Sequence, residues 1–290
     1  MNSANRHLDL HVEALEDRQL LAGNVAATLS AGGDLTIRGD NDSNSVVLEV
    51  FEDRTFELRG LGSTTIDAED FTGRTLNGNV KVQLRGGDDV FELSSNNTID
   101  VLENVRISDS DGNDTFKISR VELGGQLTIR AGKGDDRLTF LDVTAEKMNF
   151  NLGQGNDTQT MVLLNSSRHV ADQAIIRTGS GNDDVTLRGR YESARVSLGS
   201  GDDVFRGIFF AADTANINFS GGNDLLVGGG FSGAFSFVAK FGSGDDTADL
   251  TSFFRDIQLN GGGGTDTVFA APLDTRLSFE ITSFEENNLV

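Results

Sequence analysis

The chain has 290 residues, a length that allows one large domain or two ordinary ones, and contains 35 Gly, 20 Phe, one Pro and no Cys or Trp. Without Cys it can form no disulfide, zinc–thiolate site or cysteine nucleophile. A formal net charge of −21 disfavours binding to nucleic acid or anionic membrane surfaces and favours cations as partners, and no apolar run is long enough to span a bilayer.

Residues 1–23 differ from the rest of the chain because their charges are mixed and their only glycine is Gly23. Loosely spaced leucines predict a short amphipathic helix around residues 9–22. The segment does not have the unbroken apolar centre of a standard secretory signal. We treat residues 1–23 as a leader that is separate from residues 24–290.

The sequence Leu-Glu-Asp-Arg-Gln-Leu-Leu at residues 15–21 resembles the LEPR-XLL leader of surface proteins predicted in planctomycete bacteria. Asp17 stands where that family usually has Pro. The resemblance implies export of the chain to the cell surface or the extracellular space. A frayed N-terminal helix is the alternative interpretation from residue chemistry alone.

The remainder of the chain is an internal repeat, which decides the fold class before any single element does. A Gly-x-Asp sequence recurs nine times at a mean spacing of about 22 residues. The nine repeated aspartates are Asp89, Asp114, Asp136, Asp157, Asp183, Asp203, Asp224, Asp246 and Asp266. The residues that precede them are Asp88, Asn113, Asp135, Asn156, Asn182, Asp202, Asn223, Asp245 and Thr265.

The residues before each repeated Asp alternate between apolar and polar. In the first copy, Val80 and Val82 are apolar and Gln83 is polar, and the other eight copies keep the same phase. This period of two predicts a half-buried strand before each turn, and a second strand follows most turns. Since one such unit cannot bury its apolar face alone, the units must stack.

We therefore predict an all-β fold, a single-chain right-handed parallel β-solenoid of about eleven coils of about 22 residues each, with the Phe side chains in its interior. Regular coils are expected over residues 79–270. Residues 39–42 and 60–64 have related turn sequences and predict two degenerate coils before the regular ones. Alternation through Leu277, Phe279 and Ile281 predicts a last strand.

Stacked coils would place each repeated Asp about 4.8 Å from the next. Two unit charges at that distance repel by about 1 kcal/mol in water and about 3.5 kcal/mol at an effective dielectric constant of about 20. Ca²⁺ would neutralise such a column, because it takes about six to eight oxygen ligands in irregular geometry. We predict Ca²⁺ ligation by the nine repeated aspartates and, at more exposed positions, by the eight Asp and Asn residues that precede them. The alternative is an ordinary turn in which Asp bonds its own backbone without metal.

The turns resemble the repeats-in-toxin (hemolysin-type) calcium-binding sequences, Gly-Gly-x-Gly-x-Asp-x-apolar-x. Residues 261–269, Gly-Gly-Gly-Gly-Thr-Asp-Thr-Val-Phe, fit this pattern in full, and residues 220–229 are close to it. The resemblance spans residues 85–270 and implies calcium between stacked turns. Because this chain has one turn in about 22 residues rather than one in nine, it implies a single calcium ladder of up to about eight ions along one edge.

Few residues are candidates for catalysis, so we predict that the protein is not an enzyme. His7 and His11 lie in the leader, and His169 has no partner at a recognisable catalytic spacing. The best enzymatic alternative is a calcium-dependent polysaccharide lyase of the pectate-lyase type, which is a β-helix that uses Arg or Lys near calcium. Its candidate bases would be Arg106, Arg130, Arg177 and Arg195, although we prefer the interpretation that these residues offset the acidic edge.

The sequence thus predicts an exported, calcium-binding β-solenoid with a structural or adhesive role at the cell surface. Calcium ions are its expected ligands, and surface polysaccharides or other surface proteins are its candidate partners. A glycan-binding adhesion module without bound metal is the third alternative.

Overall fold

The computed structural model describes residues 23–162, 169–229, 236–252, 257–270, 279–284 and 286–289. These residues form 23 strands and no helix. The predicted helix at 9–22 and the leader up to residue 22 lie outside the described residues. The strands are β1 (Asn24–Leu29), β2 (Leu35–Arg38), β3 (Ser45–Val50), β4 (Phe56–Gly60), β5 (Thr65–Ala68), β6 (Val80–Gly86), β7 (Val90–Leu102), β8 (Val105–Asp111), β9 (Thr115–Leu123), β10 (Gln126–Lys133), β11 (Arg137–Leu141), β12 (Lys147–Gln154), β13 (Thr158–Val162), β14 (His169–Ser180), β15 (Asp184–Ser200), β16 (Val204–Gly221), β17 (Leu225–Gly229), β18 (Ser236–Ser243), β19 (Thr247–Ser252), β20 (Ile257–Gly263), β21 (Thr267–Ala270), β22 (Phe279–Thr282) and β23 (Glu286–Leu289).

One regular coil shows how the alternating sequence folds. β10 leads into the turn that contains Asp136, and β11 leads out of it. β10 pairs in parallel with β8 and β12, while β11 pairs in parallel with β9 and β13. The apolar residues Leu127, Ile129, Leu138 and Phe140 point inward and are fully buried. Period-two alternation therefore gives each coil one interior and one outer surface.

The coils stack in register. The residue seven positions before each repeated Asp pairs with its equivalent in the next coil, from Val82 opposite Ile107 to Ala239 opposite Leu259. The chain completes about eight turns between Asp89 and Asp266, which confirms the all-β parallel β-solenoid. The total of eleven coils and the right-handed sense stay predictions.

The interior is a column of apolar side chains that includes most of the described Phe residues, but the prediction is wrong for Phe269, which is exposed. Phe91 and Phe116 are fully buried. The rings of Phe219 and Phe241, from neighbouring coils, stack with centroids 4.7 Å apart and an interplanar angle of 2°. Each coil thus closes the core of the coil before it.

The N-terminal end differs from the prediction of two degenerate coils, because its chain folds back in hairpins. β1 pairs antiparallel with β2, and β3 pairs antiparallel with β4. β2 and β3 pair directly with β6 and β7, so a single coil precedes the regular ones. The turn at residues 60–64 connects β4 to β5, which pairs in parallel with β1 and therefore runs opposite to β2 and the regular coils. Hairpins of this kind cover sheet edges that would otherwise be open to pairing with another chain.

The predicted last strand is present as β22, which contains Phe279 and Ile281 and pairs with β20. Leu277 lies outside the described residues. β23 follows it and pairs in parallel with β21.

Candidate functional site

Each regular turn contains glycines because the preceding coil lies against it. Gly134, two residues before Asp136, has a φ of 119°, and Gly153, four residues before Asp157, has a φ of 115°. A Cβ at Gly153 would overlap the carbonyl oxygen of Gly132 in the preceding coil. Close coil stacking therefore accounts for the glycine two residues before Asp in all nine turns and for the one four residues before Asp in six of them, whether or not the turn holds a ligand. Arg85, Ser110 and Ser220 stand at the latter position in the other three turns.

The nine repeated aspartates form one continuous column, which we call the inner ladder. Each is at most 2% exposed, and its Oδ1 accepts a hydrogen bond from the backbone N–H of the equivalent residue one coil earlier. The bonds run from Asn44 to Asp89 (2.6 Å), Asp89 to Asp114 (2.8 Å), Asp114 to Asp136 (2.9 Å), Asp136 to Asp157 (2.9 Å), Asp157 to Asp183 (2.8 Å), Asp183 to Asp203 (2.9 Å), Asp203 to Asp224 (2.9 Å), Asp224 to Asp246 (2.7 Å) and Asp246 to Asp266 (2.9 Å).

The residues that precede these aspartates form an outer ladder, in which the hydrogen bonds run the other way. They are exposed, as predicted, and the Oδ1 of each Asp or Asn accepts a bond from the N–H of its equivalent one coil later. The donor and acceptor pairs are Asn113 to Asp88, Asp135 to Asn113, Asn156 to Asp135, Asn182 to Asn156, Asp202 to Asn182, Asn223 to Asp202, Asp245 to Asn223 and Thr265 to Asp245, at 2.7–2.8 Å.

The outer ladder explains why either Asp or Asn can stand at these positions. Both side chains offer the one oxygen acceptor that the bond requires. Thr265 stands in the last turn of the repeat, where its N–H donates to Asp245. The turn aspartates and asparagines thus bind the backbone of neighbouring coils, and not their own backbone as the metal-free alternative assumed.

The first position of the inner ladder is Asn44, and not Asp42 as the spacing of residues 39–42 indicated. Pairing of Ser45 with Val90 places Asn44 opposite Asp89. The N–H of Asn44 donates to Asp89 Oδ1, and its side-chain amide donates to the carbonyl of Asp42.

The second carboxylate oxygen of the inner ladder faces the interior. Oδ2 of Asp157, Asp203 and Asp224 is buried and accepts no hydrogen bond. Five residues before each repeated Asp stands an inward residue, mostly apolar, such as Leu152 or Leu198. In the last turn, a Cβ at Gly261 in this row would overlap Asp266 Oδ2. The ladder carboxyls therefore lie between N–H donors on one side and an apolar row on the other.

Burial raises the pKa values of these carboxyls, because the charged form loses its hydration. The pKa of Asp136 rises to about 8, that of Asp157 and Asp203 to about 7, and that of Asp224 to about 6. In each case the N–H bond from the preceding coil opposes the shift. The inner ladder therefore holds protons at pH values where an exposed Asp is fully ionised.

One residue of the apolar row is acidic. Asp109 stands five residues before Asp114, at the position that Leu84 and Leu152 occupy in other coils. Asp89, Asp109 and Asp114 each offer a carboxylate oxygen within 4.8 Å of the other two, and Oδ2 of all three is buried with no N–H or hydroxyl donor. The carboxyl of Asp109 is within hydrogen-bonding range of the carboxyls of Asp89 and Asp114 when it holds a proton. We call this group the acidic cluster.

The acidic cluster has the most strongly shifted carboxyl of the described ladder region. Burial, followed by the charge of Asp114, raises the pKa of Asp109 to about 9. Burial also raises the pKa of Asp114 to about 7. Within the described residues, this is the one group of three acidic or histidine side chains with metal-binding spacing. Oxygen-only donors suit a hard divalent cation such as Ca²⁺.

Sequence reasoning missed Asp109, although the repeat contained the signal. A charged residue in a row that is otherwise almost entirely apolar marks a position where an interior carboxylate meets the ladder. The prediction considered only the turn residues, so it placed the ligands in nine equivalent turns. The structure distinguishes the turn of Asp114 from the others.

The candidate lyase residues lie on a different surface. Arg106, Arg130, Arg177 and Arg195 are exposed on the outward side of the strands that lead into the turns. Nε2 of His169 lies 2.9 Å from Oδ1 of Asp172, in an exposed pair.

No protein-family model matches the sequence, and no curated protein or solved structure shows significant similarity to it. The resemblances to repeats-in-toxin sequences and to the LEPR-XLL leader therefore stay predictions. In the part of the chain that the structure describes, no helix has the length and apolar character of a membrane span.

Proposed function

We propose that the chain is a structural repeat protein of the cell surface or extracellular space, and that it binds Ca²⁺ at the acidic cluster. The resemblance of residues 15–21 to an export leader supports the location. The two ladders support the structural role, and the three converging buried carboxyls of the cluster support the ligand.

The structural role follows from the uniform contact between neighbouring coils. Every regular turn is joined to the next by one inner-ladder and one outer-ladder bond, in addition to the strand pairing. Hydrogen bonds to neutral acceptors contribute about 0.5–1.5 kcal/mol each, and those to an ionised carboxylate up to about 3 kcal/mol. Because this contact repeats with little change, the solenoid forms a rod in which no pair of neighbouring coils is an obvious hinge.

The acidic cluster carries the calcium proposal. If all three carboxyls are ionised, each pair at about 4.8 Å repels by about 3.5 kcal/mol at an effective dielectric constant of about 20. A divalent cation held by the Oδ2 atoms of Asp89, Asp109 and Asp114 would remove this repulsion and take the place of the proton that otherwise links Asp109 to its two neighbours.

Further ions along the ladder stay a prediction. In the coils of Asp157, Asp203 and Asp224, one buried Oδ2 per coil lies beside the apolar row, and Oδ1 already accepts a backbone N–H. We therefore assign the first ion to the acidic cluster, where three such oxygens converge.

Isothermal titration calorimetry on chelator-treated protein tests the assignment. We expect saturable Ca²⁺ binding with one site that is lost in Asp109→Asn and kept in Asp135→Asn, an exposed outer-ladder control. Competition by Mg²⁺ should be weaker, because Mg²⁺ demands a tighter octahedral geometry. Equal binding by wild type and Asp109→Asn would remove the cluster as the site, and no heat at millimolar Ca²⁺ would leave only the structural role.

A further inference from the structure

At the outward positions six, eight and ten residues before each repeated Asp, every charged side chain among the described residues is basic. We call this surface, from β6 to β20, the cationic face. It comprises the positions six, eight and ten residues before each repeated Asp, and its described residues include no Asp or Glu. Exposed acids flank it at Asp111, Asp172, Glu192 and Asp213 in the same strands, and at Glu280 on β22. The charged residues of the cationic face are Lys81, Arg106, Arg130, Lys147, Arg177, Arg195 and Lys240.

This segregation runs against the composition of the chain, which has 45 acidic and 24 basic residues. A face of random composition would carry about two acids for each base. Instead, the acids lie at the turns and on other surfaces, and the charged residues of the cationic face are all positive among those that the structure describes. A charged surface of this kind attracts a ligand of complementary charge even on an acidic protein.

The basic side chains of the cationic face are free. All seven are exposed, and none forms an ion pair with another described residue. Some basic residues elsewhere are paired: Lys117 Nζ lies 2.6 Å from Glu92 Oε1, and Lys133 Nζ lies 3.1 Å from Asp111 Oδ1. The interpretation that the arginines neutralise the acidic edge is therefore not supported by contacts, and their charges are available to a ligand.

The face also has a shape that can hold an extended chain. Arg177, Arg195 and Lys240 line an open groove of about 440 Å³, together with Ser197, Asn216 and Asn218. Lys240 also lines a second groove of about 150 Å³ that continues the surface towards Gln258 and Asn260. The amide and hydroxyl groups can both donate and accept hydrogen bonds, which suits the hydroxyls of a sugar.

Strand register spaces the charges along the rod. Arg177 is opposite Ser197, which is opposite Asn218, which is opposite Lys240. Lys240 is therefore three coils, or about 14 Å, from Arg177. Towards the N-terminal end of the rod, Arg130 is opposite Asn151, and Asn151 is opposite Arg177. Arg130 and Arg177 are therefore two coils, or about 10 Å, apart.

We infer that the cationic face binds an acidic polysaccharide, laid along the axis of the rod with its carboxylates on the Arg and Lys side chains and its hydroxyls on the Asn and Ser rows. The described outward positions carry no aromatic side chain on which a nucleic-acid base could stack. The high charge density of nucleic acid would also be repelled by the net charge of −21.

The test is binding of polygalacturonate, a polysaccharide with a carboxylate on every sugar, at low ionic strength and with excess chelator. The chelator removes calcium, so the result does not depend on the acidic cluster. We expect saturable binding that is lost at high salt, and no binding of neutral dextran of similar length. The combined variant Arg177→Gln, Arg195→Gln and Lys240→Gln should bind about tenfold more weakly, as expected for the loss of three exposed charge contacts.

The matched control removes three basic residues that are paired elsewhere, as Lys117→Gln, Lys133→Gln and Arg206→Gln. It has the same net charge as the first variant and should bind within about twofold of wild type. A single Arg195→Glu change offers a second, milder perturbation of the face and should also weaken binding. An equal loss in the control, no binding by wild type, or tighter binding of single-stranded DNA than of polygalacturonate would each overturn the proposal.

Discussion

The backbone N–H of Asp203 donates a hydrogen bond of 2.9 Å to Oδ1 of Asp224, one coil further along the chain. The same bond recurs along the inner ladder, so every carboxyl in the column is held by the backbone of its neighbour. Repulsion between stacked aspartates seemed to require a metal when only the sequence was considered. The structure shows two other contributions: N–H donors in every regular coil, and a raised pKa in the coils from Asp89 to Asp246.

The pH dependence of stability follows from the raised pKa values of Asp157, Asp203 and Asp224, about 7, 7 and 6. Unfolded Asp has a pKa of about 4. Between pH 4 and 7 the folded state therefore binds more protons than the unfolded state, and stability must fall as pH rises. In chelator, we expect a melting temperature about 5 °C or more higher at pH 5 than at pH 8.

The variant Asp203→Asn tests whether the inner ladder causes this pH dependence. Asp203→Asn keeps an oxygen that can accept the N–H of Asp183 but cannot ionise, so the difference between pH 5 and pH 8 should shrink. Asp202→Asn, which alters an exposed outer-ladder residue of the same turn, should keep the wild-type difference. A melting temperature that rises between pH 5 and pH 8 would contradict this account.

The two ladders should differ in the cost of losing an acceptor. Asp157→Ala leaves the buried N–H of Asp136 without its partner, which should reduce the free energy of unfolding by about 2–3 kcal/mol. Asn156→Ala removes the acceptor for the exposed N–H of Asn182, which water can replace, so a loss of about 1 kcal/mol or less is expected. Urea denaturation of both variants at pH 6 measures the difference, and equal losses would argue against distinct inner and outer roles.

Glycines that have a positive φ and lie against the carbonyl of the preceding coil, such as Gly153, should not tolerate a side chain. In Gly153→Ala the new Cβ would overlap the carbonyl of Gly132 at a φ of 115°, so we expect a loss of about 3 kcal/mol or more. Gly124→Ala is the control, because a Cβ there meets no atom within 4 Å. Thermal melting followed by far-UV circular dichroism compares the two, and a Gly153→Ala protein as stable as Gly124→Ala would refute the stacking explanation of the motif.

The acidic cluster should destabilise the protein when no metal is present. Asp109→Leu restores the apolar residue that other coils have at this position and removes a buried carboxyl. In chelator at pH 8, we expect this variant to melt at a higher temperature than wild type. Addition of Ca²⁺ should raise the melting temperature of wild type and leave that of Asp109→Leu almost unchanged. A lower melting temperature for the variant in chelator would show that Asp109 stabilises the fold by another route.

The regular coils could be predicted because their signal is redundant. The same alternation, in the same phase, precedes nine turns, and burial of side chains such as Ile129 and Phe140 follows directly from it. The hairpins of β1 to β4 could not be predicted in this way. Alternation identifies a strand and its inward face, but it does not distinguish parallel from antiparallel pairing.

The ligand set was harder to predict than the fold for a related reason. Asn44 takes the place expected for Asp42 because strand register decides which backbone N–H lies opposite Asp89 Oδ1, and the Gly-x-Asp spacing does not specify that register at the N-terminal end. Asp109 acquires its role only when a residue of one coil is placed beside turn residues of that coil and the one before it. Spacing along a single repeat does not contain that relationship.

The opposite directions of the inner and outer ladders have a consequence for how such a rod can change in length. Each regular coil offers an inner-ladder carboxyl and an outer-ladder N–H to the coil before it, and an inner-ladder N–H and an outer-ladder oxygen to the coil after it. The backbone contacts would therefore let an internal coil fit between any two others. A coil is an exchangeable module. Duplication or deletion of one whole unit would alter the span of the rod while its cross-section and its two end structures remain the same.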